Sequence, residues 1–166
     1  MIDLTLPQTN DPAINQRLLH ECTSLNQAVV YIHAELSPTE IEEVVRACNE
    51  GTEETHDDDT VVLSPKHDFV GQPLQASYDY HIKNIVPEDK YDQGNYVAVV
   101  DKDWKEKGVI QVTIVDGHDQ EDEEDEEIKA GIDKLRCPAS ETGIQIVNLQ
   151  IANIDWEEMK EGSMEI

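Results

Sequence analysis

The chain has 166 residues, room for one domain with a sizeable core, and carries 37 acidic against 12 basic side chains, a formal charge of −25. A field of that sign repels nucleic acid and anionic membranes and favours cations and basic proteins. No run approaches the ~18 apolar residues of a membrane helix, and the opening MIDLTLPQTNDP lacks the basic and apolar regions of a signal peptide.

Met1 to Asn10 reads as an arm or short edge strand through Ile2, Leu4 and Leu6. Asp11-Pro12 then resembles a helix start, with Asp as cap and Pro at the first position, and Ile14, Leu18, Leu19 and Cys22 continue a helical stripe to about Leu25. Ala28 to Ala34 is apolar on both alternate faces except at His33, the pattern of a strand covered on both sides. Ser37, Pro38 and Glu40 form a capping box with proline at the first helical position. Ile41, Val44, Val45 and Cys48 then make one apolar helical stripe, stopped around Asn49 to Gly51.

Glu50 to Thr60 is a polar, acidic loop. Val61 to Ser64 is a short strand ended by Pro65, and Lys66 to Gln75 is irregular. Tyr78, Tyr80 and Ile82 alternate with Asp79, His81 and Lys83, which predicts a strand with one wet face. Tyr96 to Val100 and Val109 to Val115 read as a hairpin across the charged connection Asp101 to Gly108. Nine of the twelve residues from Asp116 to Glu127 are acidic, a composition that argues for disorder. Ile128, Ile132 and Leu135 suggest a short helix, Gly143 to Ile151 a strand with a bulge near Val147, and Trp156 to Glu161 a final helix capped by Asp155.

Chemistry has few footholds. The run Glu53, Glu54, His56, Asp57, Asp58, Asp59 is dense enough in oxygen to hold Ca²⁺ or Mg²⁺, with Asp57, Asp58 and Asp59 as ligands; a solvated acidic loop is the commoner origin of such a run. An EF-hand begun at Asp116 would put Glu127 at position twelve but Glu121 where glycine is needed, so only weak, diffuse cation binding is expected there. Cys22, Cys48 and Cys137 are odd in number and lack metal spacing, which fits a reducing compartment, the cytoplasm. Cys22 and Cys48 fall on apolar stripes as small core residues, and Cys137, beside Pro138 at a helix end, is the thiol with a claim to exposure. The six histidines show no HExxH; His33 reads as a buried, hydrogen-bonded residue. Phosphate-loop, dinucleotide and nucleophile-elbow motifs are absent. Trp104 stands in a charged connection beside Lys102 and Lys105, where an indole either anchors a partner or covers the core edge.

Two pieces, VVYIHAELSPTEIEEVV and LQIANIDWEEMKEG, resemble a widespread family of small bacterial and fungal domains with no assigned activity. The resemblance reaches about a third of the chain, implies a compact mixed domain and transfers no functional residue.

The expected fold is a single α+β domain: a mixed, mainly antiparallel sheet of five or six strands with helices largely on one face, an open α/β sheet being the alternative. The expected function is a non-enzymatic, soluble interaction protein that uses its charge to meet a basic protein partner, without a cofactor. Trp104 and the acidic Glu121, Asp122, Glu123 and Glu124 are the candidate contacts, and an inhibitor, an immunity protein or a nucleic-acid mimic are forms this can take. Two other classes remain: a divalent-cation binder or metal-assisted enzyme using the loop at 53–59, and a small-molecule enzyme with a cleft of His33, His81 and tyrosines.

Overall fold

A computed structural model describes residues 2–6, 26–52, 60–88, 90–92, 94–114, 132–150 and 156–164. The expected helix at 11–25, both acidic runs, and with them Asp57, Asp58, Asp59, Glu121, Asp122, Glu123 and Glu124, lie outside the described residues.

The fold is α+β, an open mixed sheet of five strands in the order β2-β1-β3-β4-β5. Strand β1 (Ala28–Ile32) is buried at every position. It sits between β2 (Val61–Asp68) and β3 (Asn95–Val99), parallel to both. Strands β4 (Val109–Ile114) and β5 (Ile132–Cys137) then add antiparallel, so two of the four pairings are parallel. The hairpin of β3 with β4 is present as its alternation predicts.

Helix α1 (Pro38–Asn49) starts on the capping box written in its sequence. The Ser37 hydroxyl accepts from the Glu40 N–H at 3.2 Å, and the Glu40 carboxylate accepts from the Ser37 N–H at 3.4 Å. Its Val44 and Cys48 meet Ala28, Val30 and Ile32 on one sheet face. On the opposite face Val29, Tyr31, Tyr96, Ile110 and Val112 pack against Phe69, Leu74 and Tyr78. The chain thus winds around β1: α1 leads to β2 across one face, and the helical segment after β2 leads to β3 across the other.

That second segment corrects the expected strand at 78–83. It is a helix, α2 (Leu74–Tyr80), continued by a π-helical turn (His81–Ile85) and a 3₁₀ turn (Val86–Glu88). Leu74, Ser77, Tyr78, His81 and Ile85 are its buried side. That stripe has helical spacing over twelve residues and outweighs a two-residue alternation among three. Strand β2 runs through Pro65 to Asp68 instead of stopping there. An edge strand tolerates proline because its outer N–H has no ladder partner, and the register with β1 slips between Val30 and Ile32.

Two further elements exchange their expected types. The predicted helix after Ile128 is β5, which pairs six residues with β4 from Ile132 to Cys137 and turns Leu135 and Cys137 into the core. Cys137 is therefore buried. The predicted strand from Gly143 is helix α4 (Ala139–Gln150), whose Ala139, Thr142, Gly143 and Ile146 form a buried stripe. A Cβ on Gly143 would run into the Cys48 carbonyl, so the glycine marks the close approach of α4 to α1.

A single turn, α3 (Trp104–Lys107), interrupts the charged connection, and the expected final helix is α5 (Trp156–Glu161), its expected cap Asp155 lying outside the described residues. Trp156 and Met159 of α5 cover Leu135 and Cys137, and the Trp156 indole donates to Asp133 at 2.8 Å. Residues 2–6 take no place in the sheet. The Leu74 N–H donates to the Asp3 carbonyl at 2.8 Å, and Leu4 and Leu6 rest on the core beneath α2. Among the described residues no helix is long and apolar enough to cross a membrane.

Candidate functional site

Three places in the fold gather chemistry. The first lies under α2. Tyr31 on β1 is ringed by Phe69, Tyr80, His81 and Tyr96, with centroids 5.3–6.0 Å away and all four meeting it edge-on. Its hydroxyl bonds the Nδ1 of His81 at 2.8 Å. His33 lies one strand position further along this face. Its Nδ1–H donates to the Gln72 carbonyl at 2.9 Å, because a carbonyl only accepts. Its Nε2 lies 2.8 Å from the Ser77 hydroxyl, whose single proton is shared between that nitrogen and the Leu74 carbonyl at 3.0 Å.

The cleft hypothesis names these histidines and tyrosines, and the fold does bring them together. They form a packed interior: His33 is 1% exposed, and His81 and Ser77 are 0%. Burial lowers the pKa of His33, with the Gln72 hydrogen bond opposing, and raises the phenols of Tyr31 and Tyr96. The Tyr96 hydroxyl is buried without a hydrogen-bond partner among the described residues. The two described thiols are held protonated for the same reason: burial pushes Cys48 up to about 11 and Cys137 up to about 12. Among the described residues no group of three His, Cys, Asp or Glu side chains is placed to hold a metal ion.

The second place is the end of the sheet where β1, β2 and β3 begin. Ala28 pairs Val61, Val29 pairs Tyr96, Asn95 pairs Thr113 and Ile114 pairs Ile132, so these residues form one row across the sheet. The connection carrying Asp57, Asp58 and Asp59 returns to this row at Thr60. The connection carrying Glu121, Asp122, Glu123 and Glu124 leaves it at Ile114 and returns at Ile132. Together the runs 53–59 and 116–127 hold 14 of the 37 acidic residues. With strands ~4.8 Å apart, their stems stand roughly 15–20 Å from each other at opposite edges of that end.

The first stem is built with care. The buried Asn49 amide donates to the carbonyls of Val45 and Val61 at 3.0 and 2.9 Å and accepts from the N–H groups of Thr60 and Val61 at 2.8 and 2.9 Å. It thus pairs both polar groups of Val61 on the outer edge of β2, as a neighbouring strand would. The Thr60 hydroxyl donates to that of Thr52 at 3.0 Å, holding the two ends of the run together.

The third place is at the other end, where β1 and β3 finish. Here α1 and the Lys102–Glu106 segment flank a groove of about 260 Å³. In an open sheet the ends of neighbouring strands whose connections depart to opposite faces are the usual ligand position, and in the order β2-β1-β3 that position lies at β1 and β3. The strand ends stay closed over it: the N–H groups of His33 and Ala34 both donate to the Val99 carbonyl, at 2.9 and 3.1 Å. Glu40, Glu43, Asp103 and Glu106 line the groove with Lys102, Lys105 and Trp104. Trp104 is only 5% exposed and packs into the core beneath α1. The Lys105 ammonium lies 3.0 Å from the Glu43 carboxylate and 5.6 Å from the Trp104 ring centroid.

The sequence profile of one family matches residues 37–165. The chain belongs to the family DUF6924, a domain of unknown function. The expectation of an uncharacterised domain family holds. No match is found among curated proteins or solved structures. The DUF6924 match begins after β1, so the central strand of the sheet lies upstream of the matched region.

Of the sites expected from sequence, Trp104 alone among the partner contacts falls within the described residues. The groove beside it escapes sequence reading because α1 and the 102–106 segment meet only through the sheet. A Trp flanked by lysines, facing a glutamate-rich first helical turn, was the available signal.

Proposed function

We propose that this protein is a non-enzymatic, acidic interaction protein of the cytoplasm whose partner is a basic protein. The observation that carries this reading is that both acidic connections are tethered at the same end of the sheet, through stems at Thr60 and at Ile114 and Ile132. Charge tethered toward one end of a fold raises the potential there more than the same charge spread evenly, and it orients an approaching cationic surface. The buried histidines and the thiols held protonated support the non-enzymatic half of the reading, since neither group meets solvent where a substrate would have to lie.

Affinity capture with the full chain at rising salt tests it. Retained proteins are expected to be basic and to be released as ionic strength shortens the Debye length from about 10 Å at 0.1 M to about 3 Å at 1 M. Retention indifferent to salt, or of proteins without basic surfaces, contradicts the reading.

A further inference from the structure

We propose that the groove between α1 and the 102–106 segment is a receptor for an arginine side chain of an extended basic peptide. This deepens, and rests on, the reading of a basic protein partner. The groove already holds a cation of its own. Lys105 lies against the Glu43 carboxylate and over the Trp104 ring, the two contacts a guanidinium makes best. Its hold is loose: the Lys105 side chain is 69% exposed and that of Glu43 41%, so the pair is weak and exchangeable.

A guanidinium entering the groove replaces one ammonium contact with a planar stack on the indole and a forked pair of hydrogen bonds to Glu43. Glu40, Asp103 and Glu106 leave the lining with a net negative charge after Lys102 and Lys105 are counted. A second observation is the indole itself. Trp104 is 95% buried by the core and lines the groove, so its ring is held in place where the Lys105 ammonium sits. The acidic stems stand at the opposite end of the sheet, about 15–20 Å away along strands rising ~3.3 Å per residue. They therefore steer the partner and set its association rate, while the groove holds one side chain and sets the dissociation rate.

The test uses the ¹⁵N-labelled full chain, whose two tryptophans give two indole N–H resonances. Trp156, bonded to Asp133, is the internal control. Titration with N-acetyl-arginine amide is expected to shift the Trp104 resonance saturably and leave Trp156 in place, while the uncharged isostere N-acetyl-citrulline amide does not shift it. Glu43→Gln weakens the arginine titration about tenfold. Lys105→Ala, which removes the resident competitor, strengthens it about threefold, and more than Lys102→Ala, which makes the same charge change. An unmoved Trp104 resonance, an equal response to citrulline, or indifference to Glu43→Gln overturns the inference. If the groove fails while a lysine- and arginine-rich peptide still binds in a salt-sensitive way, the reading of a basic partner stands. If that peptide does not bind at low salt, the reading itself fails.

Discussion

Asn49 carries more of the account than any other single side chain, and Asn49→Ala makes that measurable. The substitution removes two donated and two accepted hydrogen bonds. The donated pair is the lesser loss. The accepted pair matters more, because the N–H groups of Thr60 and Val61 are left buried without an acceptor, at about 1–3 kcal/mol each. Adding the small void left by the carboxamide, the expected loss is about 4 kcal/mol. For a chain of this size that corresponds to a fall in Tm of about 8–16 °C. Urea unfolding followed by circular dichroism should show the midpoint falling with little change in slope, since the exposed surface hardly alters. Asn49→Asp retains the acceptor oxygens but puts a carboxylate against the Val45 and Val61 carbonyls, so it should not rescue stability at neutral pH. A loss below about 1 kcal/mol in Asn49→Ala would refute the idea that this amide closes the edge of β2 and holds the stem of the first acidic run.

Three other outcomes follow from the same contacts. The pKa of His33 is lowered by burial, so its contribution to stability is full above the unfolded value near 6.5 and is lost as pH falls from there through the folded value; His33→Gln should flatten the slope of stability against pH in that window, measured by urea midpoints at stepped pH. Asp133 is held below the ordinary aspartate range: burial works against this, and the hydrogen bonds from Lys160 and Trp156 outweigh it. Its contribution is present above the unfolded value and lost as pH falls through the folded one, and Asp133→Asn should release α5 and redden Trp156 fluorescence before global unfolding. A fragment of residues 37–165 lacks β1, to which β2 makes its sheet pairing, and should give no cooperative thermal transition; a transition within a few degrees of the full chain would contradict the topology.

The parts legible in the sequence are those whose local signals agree with their place in the fold. The capping box of α1, the apolar run of β1 and the alternation of β4 each state one structure, and each forms it. The failures occur where tertiary neighbours decide. Gly143 opens a stretch that reads as a strand, but it is the residue that lets helix α4 close on Cys48 of α1. Ile132 and Leu135 fit a short helix in isolation; six paired residues of β4 make them a strand. The tyrosines at 78 and 80 imitate a strand because the helical stripe through Leu74, Ser77, His81 and Ile85 includes Ser and His, which an apolar pattern overlooks. The groove at Trp104 and the shared end of the two acidic connections were hidden for a different reason: both depend on strand order, which no local pattern encodes.

The central claim is that negative charge on the two connections tethered at one end of the sheet recruits a cationic protein surface. Stopped-flow association with a fluorescent peptide rich in lysine and arginine measures this directly. It should be run across a salt series with the natural chain and with a variant neutralised at Asp57, Asp58, Asp59, Glu121, Asp122, Glu123 and Glu124 by the matching amides. The account predicts an association rate that falls about tenfold or more between low and high salt for the natural chain, and a much shallower dependence for the variant, with dissociation little changed. Equal rates for the two proteins, or a rate that ignores salt, would contradict it.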